Sequence, residues 1–229
     1  MININTNISF WERIWNSRTM IIDGLSSTIL VSLGAIVLGT ILGVIIGLII
    51  TYGNKYVKMP FKAFVDIVRG LPLLVTIFII YYYLDYILKS IGIVMSPMII
   101  GIIALMIFCS AQVSELVRGA LQNIPKQQID AGRALGMRFP QILKDILLPQ
   151  ALVEILPPWV NSATEIVKGS TLLSLVSIAE LMLVGKQLVA KHPRALAYYS
   201  LIGLIYFTIN TAIELGGKAL EKKISFVKK

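Results

Sequence analysis

Long apolar runs alternate with short polar joints along the whole chain. The runs at 23–52, 64–88, 97–117, 150–178 and 195–215 each approach or exceed the ~20 residues a helix needs to cross the hydrocarbon of a bilayer. The pattern therefore predicts an all-α, polytopic membrane protein with five transmembrane helices. In the first run Gly39, Gly43 and Gly47 recur at every fourth position, a small-residue ridge suited to close helix packing. The second run holds Asp66, Arg69, Gly70 and Pro72 before the apolar stretch LLVTIFIIYYYL. The fourth carries Pro157–Pro158, read as a break, and then Asn161, Thr164, Glu165 and Lys168. Residues 172–191 read as a helical excursion and not as another full crossing. Ahead of the first run, Ile8, Trp11, Ile14 and Trp15 share one helical face, which predicts an interfacial helix over 8–18. The expected organisation is an N-terminal interfacial segment (1–20), a five-helix transmembrane domain (21–217) and a basic tail (218–229), with a basic loop at 53–62.

The joint between the third and fourth runs is the longest polar one, IPKQQIDAGRALGMRFPQILKDILLP at 124–149. Asp130 to Leu135 favour helix, Gly136 permits the positive φ that ends one, and Pro140 suits the first turn of the next. Ile142, Leu143, Ile146, Leu147 and Leu148 give this second helix an apolar face. A helix–glycine–helix elbow between two spans is a rigid knob, suited to docking into another protein.

Composition agrees with a membrane protein. The 229 residues are 56% hydrophobic, with a mean hydropathy of +0.81. The net charge of +9 fits basic cytoplasmic joints better than nucleic-acid binding. Thirteen basic residues lie in 53–62, in the elbow with its approach, and in the tail, against six on the other side. By the positive-inside rule the elbow and the C-terminus face the cytoplasm, and the N-terminus faces outward. The lone Cys109 excludes an internal disulfide. Residues 1–20 lack the apolar core of a cleavable leader. No G-x-x-x-x-G-K-[ST] phosphate loop occurs, so the chain does not hydrolyse ATP by itself. With His192 as the only histidine, neither a metal cluster nor a nucleophile–histidine pair can be built. The reading is a non-enzymatic membrane subunit.

The elbow resembles the coupling loop of ABC-transporter permease subunits, E-A-A-x-x-x-G followed by I-x-L-P. Here it reads Asp130, Ala131, Gly132, Gly136, then Ile146, Leu148, Pro149. Asp130 stands for the usual Glu and keeps the charge. Gly132 stands for the usual Ala, at a cost of about 1 kcal/mol in helix propensity. The stretches DIVRGLPLL (66–74), AQVSELVRGALQNIPK (111–126), LPQALVEILPPWVNS (148–162) and VKGSTLLSLVSIAEL (167–181) resemble the branch of these permeases that imports polar amino acids and opines. The resemblance covers roughly residues 20 to 220. It implies the type I ABC importer permease fold, alternating access, and partners. These are two ATPase subunits holding ATP and Mg, a second permease that is identical or homologous, and an extracytoplasmic substrate-binding protein. It implies no cofactor in this chain. It also makes Asp130, Ala131, Gly132, Leu135 and Gly136 the ATPase-coupling residues.

Ionisable groups inside membrane runs are candidate function sites. Arg69 can hold a substrate carboxylate with its planar fork, or pair with Asp66 at i−3. Glu165 can meet a substrate ammonium or a basic side chain, or neutralise Lys168 at i+3. Ser110, Gln112, Asn161 and Thr164 are polar candidates for the rest of such a site, or else helix-packing contacts. A channel or secondary transporter working without an ATPase is the alternative, kept open by Glu165 and the proline pair.

Overall fold

The computed structural model describes residues 9–192 and 194–225. Ile8 and positions 226–229, parts of the predicted interfacial helix and basic tail, lie outside the described residues. The described residues are helical almost throughout. A short helix α1 (Phe10–Asn16) precedes the long α2 (Arg18–Tyr52), followed by α3 (Lys55–Gly70), α4 (Leu73–Ser90) and α5 (Pro97–Asn123). The elbow contains α6 (Lys126–Ala134) and α7 (Phe139–Ile142). A π-helical turn (Leu143–Leu147) joins α7 to α8 (Leu148–Gly169). A 3₁₀ segment (Ser170–Val176) then leads to α9 (Leu181–Lys191) and α10 (Ala195–Ser225). Four helices, α2, α4, α5 and α10, are long and apolar enough to span a bilayer. The stretch from α7 through the 3₁₀ segment together with α9, bent from it by 51°, is also long and apolar enough, and brings the number of spans to five when the bent pair is counted as one.

The contact between α2 and α5 is the main seam of the bundle. A Cβ at Gly39 would lie 2.6 Å from the Cβ of Cys109, one at Gly43 2.7 Å from that of Val113, and one at Gly47 2.7 Å from that of Val117. Backbone oxygens of Met106, Ser110 and Ser114 lie as close, at 3.0, 2.8 and 2.7 Å from the same three positions. Only hydrogen fits there, so the predicted ridge is a true helix–helix interface. Both partners advance four residues per contact and in the same direction. The two helices therefore run parallel, and α4 carries the chain back between them. Their C-terminal ends share one end of the bundle, where the Tyr52 ring meets Phe139 of the elbow at 5.0 Å. The last turns of α10 reach the same end, since Gly217 packs on Val160 and Leu220 shares a groove with Lys144. At the opposite end the Phe10 ring packs tilted against Tyr198 at 5.4 Å, and the Arg13 guanidinium donates to Nδ1 of His192 at 2.7 Å. Burial and the charges of Arg13 and Lys191 hold that imidazole below its ordinary pKa.

Several expectations are corrected. Positions 55–62 are not loop but the first half of α3. Asn54 caps that helix, its side chain accepting from the Val57 amide at 2.9 Å. The expected second span is thus two helices, parted at Leu71–Pro72 because a residue before proline is pushed out of helical conformation. Asp66 and Arg69 belong to the amphipathic α3 and not to the crossing itself. The proline pair does not break the fourth span, since α8 runs through Pro157 and Pro158. The break falls later, at 177–180, where Ser177 takes φ +60°. Glu180, fully buried, then caps α9, accepting from the amides of Met182 and Leu183 at 2.8 Å and from the Tyr206 hydroxyl at 2.6 Å. Three donors offset the cost of burying this carboxylate. The last span continues as helix to Ser225, well past the expected 215, so the described part of the tail is helical.

A leucine at Gly43 would collide with backbone as well as side chain. Gly43→Leu is expected to destabilise the purified protein by about 3 kcal/mol or more, read as a lowered melting temperature in detergent. Gly203→Leu, inside α10 with nothing within 4 Å of the added Cβ, is expected not to lower that temperature, since it gains helix propensity without a collision.

Candidate functional site

Gln112, Glu115, Arg118 and Gln122 recur every three or four residues on α5 and so form one polar strip on an otherwise apolar helix. Arg118 grips Glu115 through two nitrogens, Nε to Oε2 at 2.9 Å and Nη2 to Oε1, and donates from Nη1 to Gln122 at 2.6 Å. The charged face of α3 packs beside this strip. Its Lys58, Lys62 and Asp66 line a cavity of about 290 Å³ together with Glu115, Arg118 and Gln122. Lys58 donates to the Thr51 carbonyl at 2.7 Å, closing the end of α2 onto α3. One turn above Glu115 on α5, Gln112 Nε2 donates to Glu165 Oε2 of α8 at 3.0 Å. Near the elbow Asn123 donates to Glu154. The strip is thus bridged to α8 at both ends and to α3 between them.

The predicted site residues divide accordingly. Arg69 pairs with Glu115, its nitrogen 3.7 Å from Oε1, and not with Asp66. The i−3 geometry leaves Asp66 on the cavity side, while Glu115 lies straight across from the end of α3. Glu165 is exposed, not buried as its apolar setting had implied, and its partner is Gln112 and not Lys168. Asn161, Glu165 and Lys168 stand one and two turns apart and are all exposed on one face of α8. Ser110 and Thr164 are buried within the bundle. Their hydroxyls return to their own helices, donating to the carbonyls of Ile107 at 2.7 Å and Asn161 at 2.8 Å. The structure therefore joins Gln112 directly to Glu165, links Arg69 to the same strip through Glu115, and leaves Ser110 and Thr164 in packing. Glu115 and Arg118 were not picked out from the sequence as site residues. Their signal was the E-x-x-R spacing at the end of a membrane run.

The elbow is built as a projecting knob. α6 ends in a Schellman motif: Met137 N–H bonds the Gly132 carbonyl at 3.0 Å, Gly136 N–H bonds Arg133 at 2.9 Å, and Gly136 takes φ +78°. Gly132 is buried, and a Cβ there would lie 2.9 Å from Cγ1 of Ile142 and 3.3 Å from Cδ1 of Ile146. The helix propensity lost at Gly132 is thus the condition for seating α6 on the helix that follows. Asp130, Ala131, Arg133, Ala134 and Leu135 face outward, Leu135 with 81% of its surface exposed. Asp130 makes only a loose 3.9 Å pair with Arg133.

A multi-span helical bundle with a charged strip along one face and a rigid knob at one end defines a membrane transport subunit. The chain belongs to the family of binding-protein-dependent transport system inner membrane components, whose pattern it matches over residues 35–226. It is 30% identical over 219 residues to the probable amino-acid ABC transporter permease protein YckA of Bacillus subtilis (strain 168), covering 93% of this chain and 95% of that one. It is 27% identical over 217 residues to the glutamine transport system permease protein GlnP of Escherichia coli (strain K12), covering 95% and 98%. Its structure superimposes with a TM-score of 0.82 on a chain from the crystal structure of an amino acid ABC transporter with histidines, at 26% identity and covering 94% and 99%. The bundle is thus a type I ABC importer permease fold.

A double-mutant cycle with Gln112→Ala and Glu165→Ala is expected to give a coupling of about 1 kcal/mol in thermal unfolding, the measure of the Gln112–Glu165 bond between α5 and α8. A cycle of Glu165→Gln with Lys168→Met is expected to give a coupling near zero.

Proposed function

We propose that this chain is one of two permease subunits, identical or homologous, of an ATP-driven importer for polar amino acids, with neutral or cationic side chains favoured. The observation that carries the substrate reading is Glu165. Gln112 holds it in place, it forms no ion pair among the described residues, and it faces outward beside Asn161 and Lys168. Arg69 serves the substrate carboxylate. Its 3.7 Å contact to Glu115 is loose, and Glu115 is already held in a fork by Arg118, so Arg69 can exchange it for a carboxylate of the substrate. Glu165 then receives the ammonium or a basic side chain. Ser110 and Thr164 shape the wall from behind.

The elbow, the end of α2 and the end of α10 face the cytoplasm, and α1 faces outward. The basic-residue count supports this orientation, as does the common end these elements occupy. Two ATPase subunits, holding ATP and Mg, dock on the elbows of the two permeases, in this chain at the outward-facing Asp130, Ala131, Leu135 and Gly136, while the buried Gly132 couples by seating α6 on Ile142 and Ile146. Their closure on ATP moves the elbows and turns the path outward. A substrate-binding protein then delivers the amino acid at the side where α1 lies. No nucleic acid enters the mechanism.

An acidic side chain would meet Glu165. Two unit charges 4 Å apart interact by roughly 4 kcal/mol at an effective dielectric of ~20, or about three orders of magnitude in affinity, part of which Lys168 offsets. In competition uptake by vesicles containing the whole transporter, glutamate and aspartate are expected to compete poorly. Glu165→Gln is expected to depress uptake of a cationic amino acid more than that of a neutral one. Glutamate as the best competitor, or no change in any substrate with Glu165→Gln, refutes the assignment.

Gly136→Trp places a large side chain at φ +78°. The variant is expected to insert normally, with a cysteine at position 126 still labelled only from the cytoplasmic side, while ATP hydrolysis loses its coupling to uptake. Wild-type uptake from this variant removes the elbow from the mechanism.

A further inference from the structure

The charged cavity between α3 and α5 has more binding capacity than its own bonds use. Its floor is apolar, formed by the buried Ile50 and Val65, and its rim is polar. Two rim groups are committed. Lys58 donates to the Thr51 carbonyl, and Glu115 lies in the fork of Arg118. Two others are open. Lys62 and Asp66 form no ion pair or hydrogen bond among the described residues, although they stand one turn apart on the same face of α3. Lys62 bears electrostatically on Glu115 instead, and Asp66 on Arg118. Arg118 itself spends three N–H groups, two on Glu115 and one on Gln122. A guanidinium has about two more to give. The rim thus offers, side by side, donors without a carboxylate and a carboxylate without a donor.

Three features decide what fills it. Arg69 and Arg118 share one oxygen, Glu115 Oε1, so the cavity begins where the carboxylate clamp proposed above ends. The cavity lies on the elbow side of Arg69. Lys58 closes there on the end of α2, and Gln122 stands next to Asn123, which is tied to α8 near the elbow. Its volume, about 290 Å³, falls at the lower limit of small-molecule sites, ~300 Å³. That suits one free amino acid and is too small for a peptide.

We propose that this cavity is a second subsite for the amino acid, on the cytoplasmic side of Arg69, filled during release and refilled from the cytoplasm as the amino acid accumulates. The carboxylate sits between Lys62 and the spare N–H groups of Arg118, and the α-ammonium sits on Asp66. Both poles are ones that every free amino acid carries, so the subsite does not choose among side chains. When occupied it blocks the exit from Arg69 and slows further import. The inference rests on the amino-acid reading given above and on the elbow facing the cytoplasm.

The test uses the whole transporter in vesicles, with ATP inside and the substrate-binding protein outside. Initial uptake of labelled arginine (cationic) or glutamine (neutral) is followed while the same unlabelled amino acid is loaded inside at graded concentrations. Inhibition is read as a ratio within each variant, so a general loss of activity cancels. Internal arginine and glutamine are both expected to inhibit, and agmatine, which is arginine without its carboxylate, is not. Asp66→Asn and Lys62→Gln are each expected to raise the half-inhibitory internal concentration about tenfold. Lys55→Gln, on the same helix but outside the cavity, is expected to leave it unchanged. Uptake that ignores internal amino acid overturns the subsite and leaves the proposed function standing. So does inhibition that persists unchanged in both variants, since it then belongs to the site of Arg69 and Glu165. No uptake of either amino acid overturns both the subsite and the reading beneath it.

Discussion

Everything in this molecule hangs on how closely α2 approaches α5. Inside a bilayer apolar side chains gain nothing by leaving lipid for one another, so helices associate through close packing and interhelical polar contacts. The glycine ridge of α2 lets the carbonyl edge of α5 come within reach of bare backbone. Because the two helices run parallel, their ends coincide, and Tyr52 is set against Phe139. The elbow is therefore mounted on the close α2–α5 seam, at the end that two long helices share.

With its other flank committed to that seam, α5 turns its polar positions to α3 and α8. The strip works by division of labour. Arg118 satisfies Glu115 in a fixed fork, which frees Arg69 from being its sole counter-ion. Gln112 holds Glu165 without neutralising it. An amide partner orients a carboxylate and leaves its charge available, where a lysine partner would cancel it. The exposed face of α8 therefore carries a carboxylate held by an amide.

Most of the outline was legible in the chain. The count and order of membrane runs, the glycine ridge, the positive φ at Gly136 and the restart at Pro140 follow from local rules that hold wherever such residues stand. The misreadings share a cause. Positions 53–62 looked like loop because their polar residues were counted, whereas Phe61, Phe64, Val65 and Val68 form an inner face only when α3 lies on the bundle. Pro157 and Pro158 looked like a break because proline removes an amide donor. Yet α8 continues past them, and the chain bends instead where Glu180 offers a better cap.

By itself, then, the sequence determined that this is a polytopic helical membrane protein with an elbow, because hydrophobic length, helix capping and charge bias act over neighbouring residues. Only the tertiary structure decided the partners of Arg69 and Glu165. Each had an acceptable partner three residues away on its own helix, and each bonds instead to α5, to Glu115 and Gln112. A contact 46 or 53 residues distant in sequence exists only once helix packing has brought the two faces together.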